Sequence, residues 1–268
     1  MNYLDIFQYS FMIRAFVAGI IIAVTAPLIG SFLVVKRFSL VADTLSHIAL
    51  AGVAIGLLVG LQPLVTTVAV TILAALLIDR VRVSKQIPAD VVLAMFLPGG
   101  LALAVILISL VNGFNTNLFS FLFGSITTVQ PEEVWYIVVL GVITVITTLT
   151  FYRQLLYTSF DEESAKVGGV AVLRINMLLM VLTAVTVSLS MRIVGALLIG
   201  ALMVIPVTTA MQLGRSFRKT IVLAIAFALV AVIVGLFLSY YFNLPAGGVI
   251  VLLSLTLFTL TGVVKKYT

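Results

Sequence analysis

Nine long apolar runs, at roughly 11–35, 40–61, 63–79, 88–111, 133–152, 172–190, 193–212, 220–242 and 248–264, follow one another through the 268-residue chain. Each approaches or exceeds the roughly 20 residues that carry a helix across a bilayer. No polar segment between them is long enough for a soluble domain, so residues 1–268 read as one transmembrane domain, an all-α polytopic helical bundle. Composition agrees: 63% of residues are hydrophobic and 9% charged, against about 25% charged in soluble domains. The first ten residues hold Asp5 but no Lys or Arg. They lack the basic start of a cleaved signal, so the first run is expected to remain as a span.

Basic residues sort the connections into two classes. With the N-terminus outside, alternate loops collect Lys36, Arg37, Arg80, Arg82, Lys85, Arg153, Lys166, Arg174, Arg215, Arg218, Lys219, Lys265 and Lys266, leaving Arg14 and Arg192 for the outer side. Thirteen of the fifteen Lys and Arg then share one side, as the positive-inside rule requires, and removing a span would spoil the alternation for every later loop. Nine spans, N-terminus out and C-terminus in, are therefore expected over eight. The tight connections at Gln62-Pro63 and Ser190-Met191-Arg192 are where a broken or re-entrant helix would lower the number. The same scatter of charge into short loops argues against nucleic acid as a partner, despite a formal net charge of +6, because such binding needs a clustered basic surface. The chain has no cysteine, which removes disulfides, thiolate metal ligands and thiol nucleophiles.

A charge inside a span costs on the order of 3 kcal/mol on insertion scales. Asp79, Asp90, Asp161, Glu162 and Glu163 fall in or beside basic loops, and Asp5, Glu132 and Glu133 on the opposite side, where solvation accounts for them. Asp43 and His47, the only histidine, fall inside the second run. Four residues apart, they project from one helix face on successive turns, a spacing that can hold one cation between carboxylate and imidazole. The competing reading makes Ser39 the helix cap, Asp43 a favourable charge at the positive helix start, and His47 a hydrogen-bonded packing residue. Two ligands make half of a zinc-type site; a two-fold homodimer bringing both copies of the helix to its axis would supply a tetrahedral set. Gly52, Gly56 and Gly60 form a small-xxx-small run, turned about 140° from His47, that is expected to pack against a neighbouring helix.

The connection from Arg153 to Val170 is longer than the other connections on the basic side. Ser159 followed by Glu162 fits a capping box, and Gly168-Gly169 suits a left-handed helix end, which predicts a short helix outside the membrane. The chain contains neither a phosphate-binding loop ending in Gly-Lys-Ser/Thr nor a His-Glu-x-x-His motif, so ATP binding of that kind and zinc-protease chemistry fall away.

These residues resemble the metal-specific ABC importer permeases, the bacterial family serving zinc, manganese and iron uptake, over nearly the whole chain. The most specific string is Lys36-Arg37-Phe38-Ser39-Leu40 leading into Asp43-Thr44-Leu45-Ser46-His47-Ile48-Ala49-Leu50-Ala51-Gly52-Val53-Ala54. Weaker support comes from Leu122-Phe123-Gly124-Ser125-Ile126, Val194-Gly195-Ala196-Leu197-Leu198 through Ile205-Pro206, and Tyr240-Tyr241-Phe242-Asn243-Leu244-Pro245-Ala246-Gly247. The resemblance implies a type II ABC importer-like permease of the bacterial cell (inner or plasma) membrane. It also implies a homodimer, two cytosolic ATPase subunits that hydrolyse ATP, and an extracytoplasmic metal-binding protein. Phe160, Asp161, Glu162, Glu163, Ser164, Ala165, Lys166, Val167 and Gly168 would form the coupling helix seated in an ATPase groove. No permanently bound cofactor is implied; Zn2+ or Mn2+ is the transported substrate, passing Asp43 and His47, with zinc slightly preferred for a sulfur-free donor set. The rival readings are a stand-alone metal channel or secondary carrier, and a membrane-embedded enzyme using Asp43 and His47 as acid and base, which lacks a recognisable nucleophile.

Overall fold

The computed structural model describes residues 8–85, 87–110, 116–125, 127 and 129–267, so Asp5 and Ile126 lie outside the described residues. The regular structure among them is helical: α1 (Ser10–Val35), α2 (Leu40–Val59), α3 (Pro63–Lys85), α4 (Ala89–Leu110), α5 (Thr116–Phe123), α6 (Pro131–Thr150), α7 (Tyr152–Phe160), α8 (Glu162–Val167), α9 (Val172–Ser190), α10 (Ile199–Gln212), α11 (Phe217–Phe242) and α12 (Ala246–Tyr267). Eight of these, α1 to α4, α6, α9, α11 and α12, are long and apolar enough to cross a bilayer. The predicted run at 193–212 is different. Its first part turns irregularly, and only the 14 residues of α10 are helical, a length of about 21 Å. The break follows Ser190-Met191-Arg192, one of the two weak connections in the sequence. The helices α5 and α7 were not anticipated.

Helices α1, α2 and α9 are mostly buried, whereas α4, α6 and α12 turn most of their apolar surface outward. Helix α1 packs against α6, α9, α10 and α11, and α2 lies between α3 and α4. Hydroxyls inside the helices bond back to their own backbone, as in Thr144 to the Leu140 carbonyl at 2.8 Å and Thr148 to that of Thr144 at 2.7 Å. A hydroxyl pair also links helices: Thr71 of α3 and Ser188 of α9 are 2.6 Å apart.

Between α1 and α2 the chain reverses through a Schellman turn. Phe38 N–H donates to the Leu33 carbonyl at 2.9 Å and Arg37 N–H to that of Val34 at 3.1 Å, which satisfies carbonyls at the helix end. Arg37 takes the left-handed position, φ 57°, where glycine is usual and another residue is held at a cost of about 1–2 kcal/mol. The turn buries Phe38 and starts α2.

The irregular stretch 191–198 finds its partners in the end of α5 and the residues after it. Ala196 N–H donates to the Phe121 carbonyl at 2.8 Å, Leu197 N–H to Leu122 at 3.2 Å, and Ser125 N–H to the Arg192 carbonyl at 3.1 Å. Non-helical backbone within a membrane protein is tolerated where protein covers it and pairs its polar groups. Glycines make the approach possible. A Cβ on Gly195 (φ 87°) would strike the Leu122 carbonyl, one on Gly124 (φ 76°) the Ile193 carbonyl, and one on Gly247 the Val194 carbonyl. Three strings separated in sequence, Leu122–Ser125, Val194–Leu198 and Tyr240–Gly247, thus meet at one backbone junction.

A buried ion pair locks the same region to α6. Arg192 Nε donates to Glu133 Oε1 at 2.7 Å, its Nη2 reaches the same oxygen, and Gln130 N–H donates to Glu133 Oε2 at 3.0 Å. The Arg192 guanidinium also lies over the Phe121 ring, 4.1 Å from its centroid. Glu133 is 1% exposed, so the expectation that solvent accounts for it is corrected. Solvation is the simple reading of an acidic pair in a loop; the partner that draws Glu133 inward is 59 residues away. Removing one member of a buried pair leaves the other charge uncompensated. Glu133→Ala is therefore expected to cost roughly 3–5 kcal/mol of stability, whereas the double change Glu133→Leu with Arg192→Met should be far milder. Thermal unfolding in detergent checks this, and equal loss in both variants would contradict it.

Candidate ion site and the charged end of the bundle

Helix α2 starts at Leu40, and that start sets the depth of Asp43 and His47. Gly52 lies against the Thr67 backbone of α3, the antiparallel neighbour joined to α2 through the turn at residues 60–62. At about 1.5 Å per residue, His47 lies about 20 Å from the Lys85 end of α3 and about 14 Å from its Pro63 end. His47 is thus close to the middle of that span, within a hydrocarbon core about 30 Å thick. Asp43 sits one turn nearer the end that carries the basic loops.

Both side chains are half-buried and lie with the exposed Leu40 on one stripe of α2, the residues between them being buried. The Asp43 carboxylate rests on Gly200, where a Cβ would strike Oδ1. Gly200 is the second residue of α10, so the carboxylate faces the end of a helix whose free N–H groups carry partial positive charge. This residue was missed in the sequence, where a glycine in an apolar run signals close packing but not its partner. On α10 the half-buried Ala201, Val204, Ile205 and Thr208 continue the incompletely covered surface beside Asp43.

The competing explanation of the pair holds only in part: Asp43 does lie in the first turn of α2. Ser39 precedes α2 but makes no capping bond, and among the described residues the buried His47 Nδ1 has no hydrogen-bond partner. Among the described residues no cluster of three or more His, Cys, Asp or Glu forms within the protomer. The chain by itself thus brings one carboxylate and one imidazole to this face.

The glycine run divides between two roles. Gly52 and Gly56 meet α3, where a Cβ would crowd the backbones of Thr67 and Pro63. Gly60 has open space around it and ends α2 in the left-handed conformation, φ 72°. The expectation that all three pack a neighbour is corrected at Gly60, because the chain turns before a third contact is reached.

At the basic-loop end, α7 runs to Phe160, and α8 follows from Glu162 to Val167, together with the caps Asp161 and Gly168 spanning the predicted short helix. Its cap is Asp161, whose Oδ1 accepts from Glu163 N–H at 3.0 Å and Ser164 N–H at 3.1 Å. The Ser164 hydroxyl and these amides hold the Asp161 carboxyl below its ordinary range. Ser159, predicted as the cap, ends inside α7 with its hydroxyl buried and unpartnered. Gly169 supplies the left-handed end, φ 80°, and Val170 N–H closes the turn onto the Ala165 carbonyl at 3.0 Å.

Glu162 ties this helix to the start of α2. Its Oε1 lies 2.5 Å from Lys36 Nζ and 3.9 Å from Arg82, and accepts from Asn176 Nδ2 at 3.2 Å. Lys36 also donates to Asn176 Oδ1 at 2.5 Å. Burial pushes the Lys36 ammonium below the usual lysine range, with Glu162 opposing that shift. Burial alone would raise the Glu162 carboxyl, but Lys36, Arg82 and Asn176 outweigh it and hold the group below its usual value. Asp79, expected to be solvated, is 1% exposed and paired with Arg82 at 3.0 Å. One connected set of charges therefore joins α8, α9 and α3 to the turn that precedes Asp43.

Similarity to known proteins covers nearly the whole chain. The manganese transport system membrane protein MntC of Listeria monocytogenes is 34% identical over 94% of this chain and 89% of its own length. The high-affinity zinc uptake system membrane protein ZnuB of Haemophilus influenzae is 34% identical over 95% and 97%. Among solved structures, PsaBC from Streptococcus pneumoniae in complex with Fab superposes with a TM-score of 0.87 at 32% identity, covering 97% of this chain and 94% of that one. The profile of the ABC 3 transport family matches residues 8–265, and the chain belongs to that family.

Proposed function

We propose that the chain is the membrane permease of an ATP-driven importer of a divalent transition metal, and that Asp43 and His47 line the path of the ion. The observation that carries this reading is a carboxylate and an imidazole on one face of α2, at mid-span depth, with no partner for His47 Nδ1 inside the protomer. Ionisable groups in such a place mark ion pathways. A two-fold homodimer would complete the coordination, with two carboxylates and two imidazoles facing one another across the half-exposed stripes of α2 and α10. The chain itself has no phosphate-binding loop, so ATP hydrolysis belongs to two cytosolic subunits. The segment from Phe160 to Gly168 would seat against them and pass their motion through Glu162 and Lys36 to the start of α2. On the opposite face an extracytoplasmic binding protein would deliver the ion. Glu132 is exposed there, whereas Glu133 is committed to Arg192.

The donor set contains no sulfur, which suits zinc first and manganese second. Relatives named for each metal are equally similar to this chain. Restoration of growth in a transport-deficient strain by zinc at low concentration is the expected result; restoration by manganese alone would reverse the order. Asp43→Asn and His47→Ala are each expected to abolish metal accumulation while membrane insertion and assembly with the ATPase persist. Normal uptake by both would remove the site assignment. Gly200→Val would press on the Asp43 carboxylate from outside the ligand set, and uptake affinity should fall on the order of tenfold. Lys36→Glu should lower uptake at unchanged expression, and adding Glu162→Lys should restore part of it; no recovery would count against the link between α8 and α2. Uptake into vesicles without any ATPase subunit would favour a stand-alone carrier instead.

A further inference from the structure

At the basic-loop end, α6 and α11 flank α1 and leave a groove of about 600 Å³ between them. Leu28 of α1 forms its floor, and the exposed Leu149 and Val222 form its walls toward the lipid. Arg153 and Arg218 stand at its mouth, where α7 begins and α11 enters the bilayer. Among the described residues, no acidic side chain lines the groove. Among the described residues, no ion pair reaches either guanidinium. Arg218 is held over the Tyr152 ring, 5.5 Å from its centroid, and the Tyr152 hydroxyl oxygen is buried beside them without a hydrogen-bond partner. The first turn of α11 contains no acidic side chain, and Ser216 makes no capping bond to it.

Two guanidiniums without an ion pair among the described residues and an uncapped helix start form a cationic mouth above an apolar trough. Each part matches one end of a phospholipid: the mouth suits a phosphate, and the trough an acyl chain. The end of the bundle rich in Lys and Arg is the one that faces the leaflet whose anionic lipids attract such residues. We infer that this groove binds an anionic phospholipid, its phosphate between Arg153 and Arg218 and one chain along Leu149, Leu28 and Val222. The site is separate from the α2 face and stands whether or not the metal-path reading does.

The test is native mass spectrometry of the full chain, purified in detergent with equal phosphatidylglycerol and phosphatidylcholine. Phosphatidylglycerol should be retained in preference, and Arg153→Gln with Arg218→Gln should weaken it on the order of twentyfold, since each basic residue contributes about fivefold. Arg80→Gln, at the same end but outside the groove, should leave retention unchanged. Val222→Trp should reduce it by filling the trough with both charges intact, and this arm remains informative if the arginine variant misfolds. Equal retention of the two lipids, or an equal fall in the Arg80 variant, would overturn the inference. So would displacement by millimolar inorganic phosphate, which would make the site one for a free anion. Release of the lipid when ATPase subunits assemble would assign the groove to them.

Discussion

A bilayer offers backbone amides no partner, so each polar group of a spanning chain has to be paired by the chain itself. Helices satisfy this requirement along most of the sequence. At 191–198 the helix stops, and the amides are paired sideways with 121–125. That junction depends on Gly124, Gly195 and Gly247, which let three backbones approach where any Cβ would collide. It fixes where α10 begins, and hence puts Gly200 under the Asp43 carboxylate. The local conformation of three glycines thus controls the surroundings of a carboxylate elsewhere in the chain.

Charge is arranged with similar economy. At the end opposite the basic loops Glu133 and Arg192 pair in near-complete burial, which brings little net stability in itself but strongly penalises any state in which they separate. At the basic end the network around Glu162 links an exposed short helix to the buried turn before α2. Between these two sets lies the Asp43 and His47 face, half-covered and, at the imidazole, unsatisfied. A face that stays open beside a carboxylate and an unsatisfied imidazole has room for a ligand that arrives from outside the chain.

Much of this was legible in the sequence, because apolar run length and Lys/Arg placement respond directly to the bilayer. The spans from α1 to α4 and the i, i+4 register of Asp43 and His47 needed nothing beyond helix geometry. What was not legible depended on tertiary partners. Glu133 and Asp79 looked solvated because the sequence does not bring Arg192 or the buried side of α3 to them. Ser159 fitted a capping box, yet α7 continues through it and Asp161 caps α8 instead. Gly60 fitted the spacing of a packing stripe but falls where α2 ends. The break before α10 was visible only as a tight connection; its stabilising hydrogen bonds lie some 70 residues upstream.

The central claim is that an ion is held in the membrane by the carboxylate and imidazole of α2, supplied twice by a dimer. Zinc K-edge X-ray absorption on the assembled transporter, loaded with one equivalent of zinc per permease pair, tests this most directly. The account predicts a four-coordinate shell of nitrogen and oxygen near 2.0–2.1 Å, with outer-shell scattering from two imidazoles. A shell of oxygen alone, or one with no imidazole contribution, would contradict it.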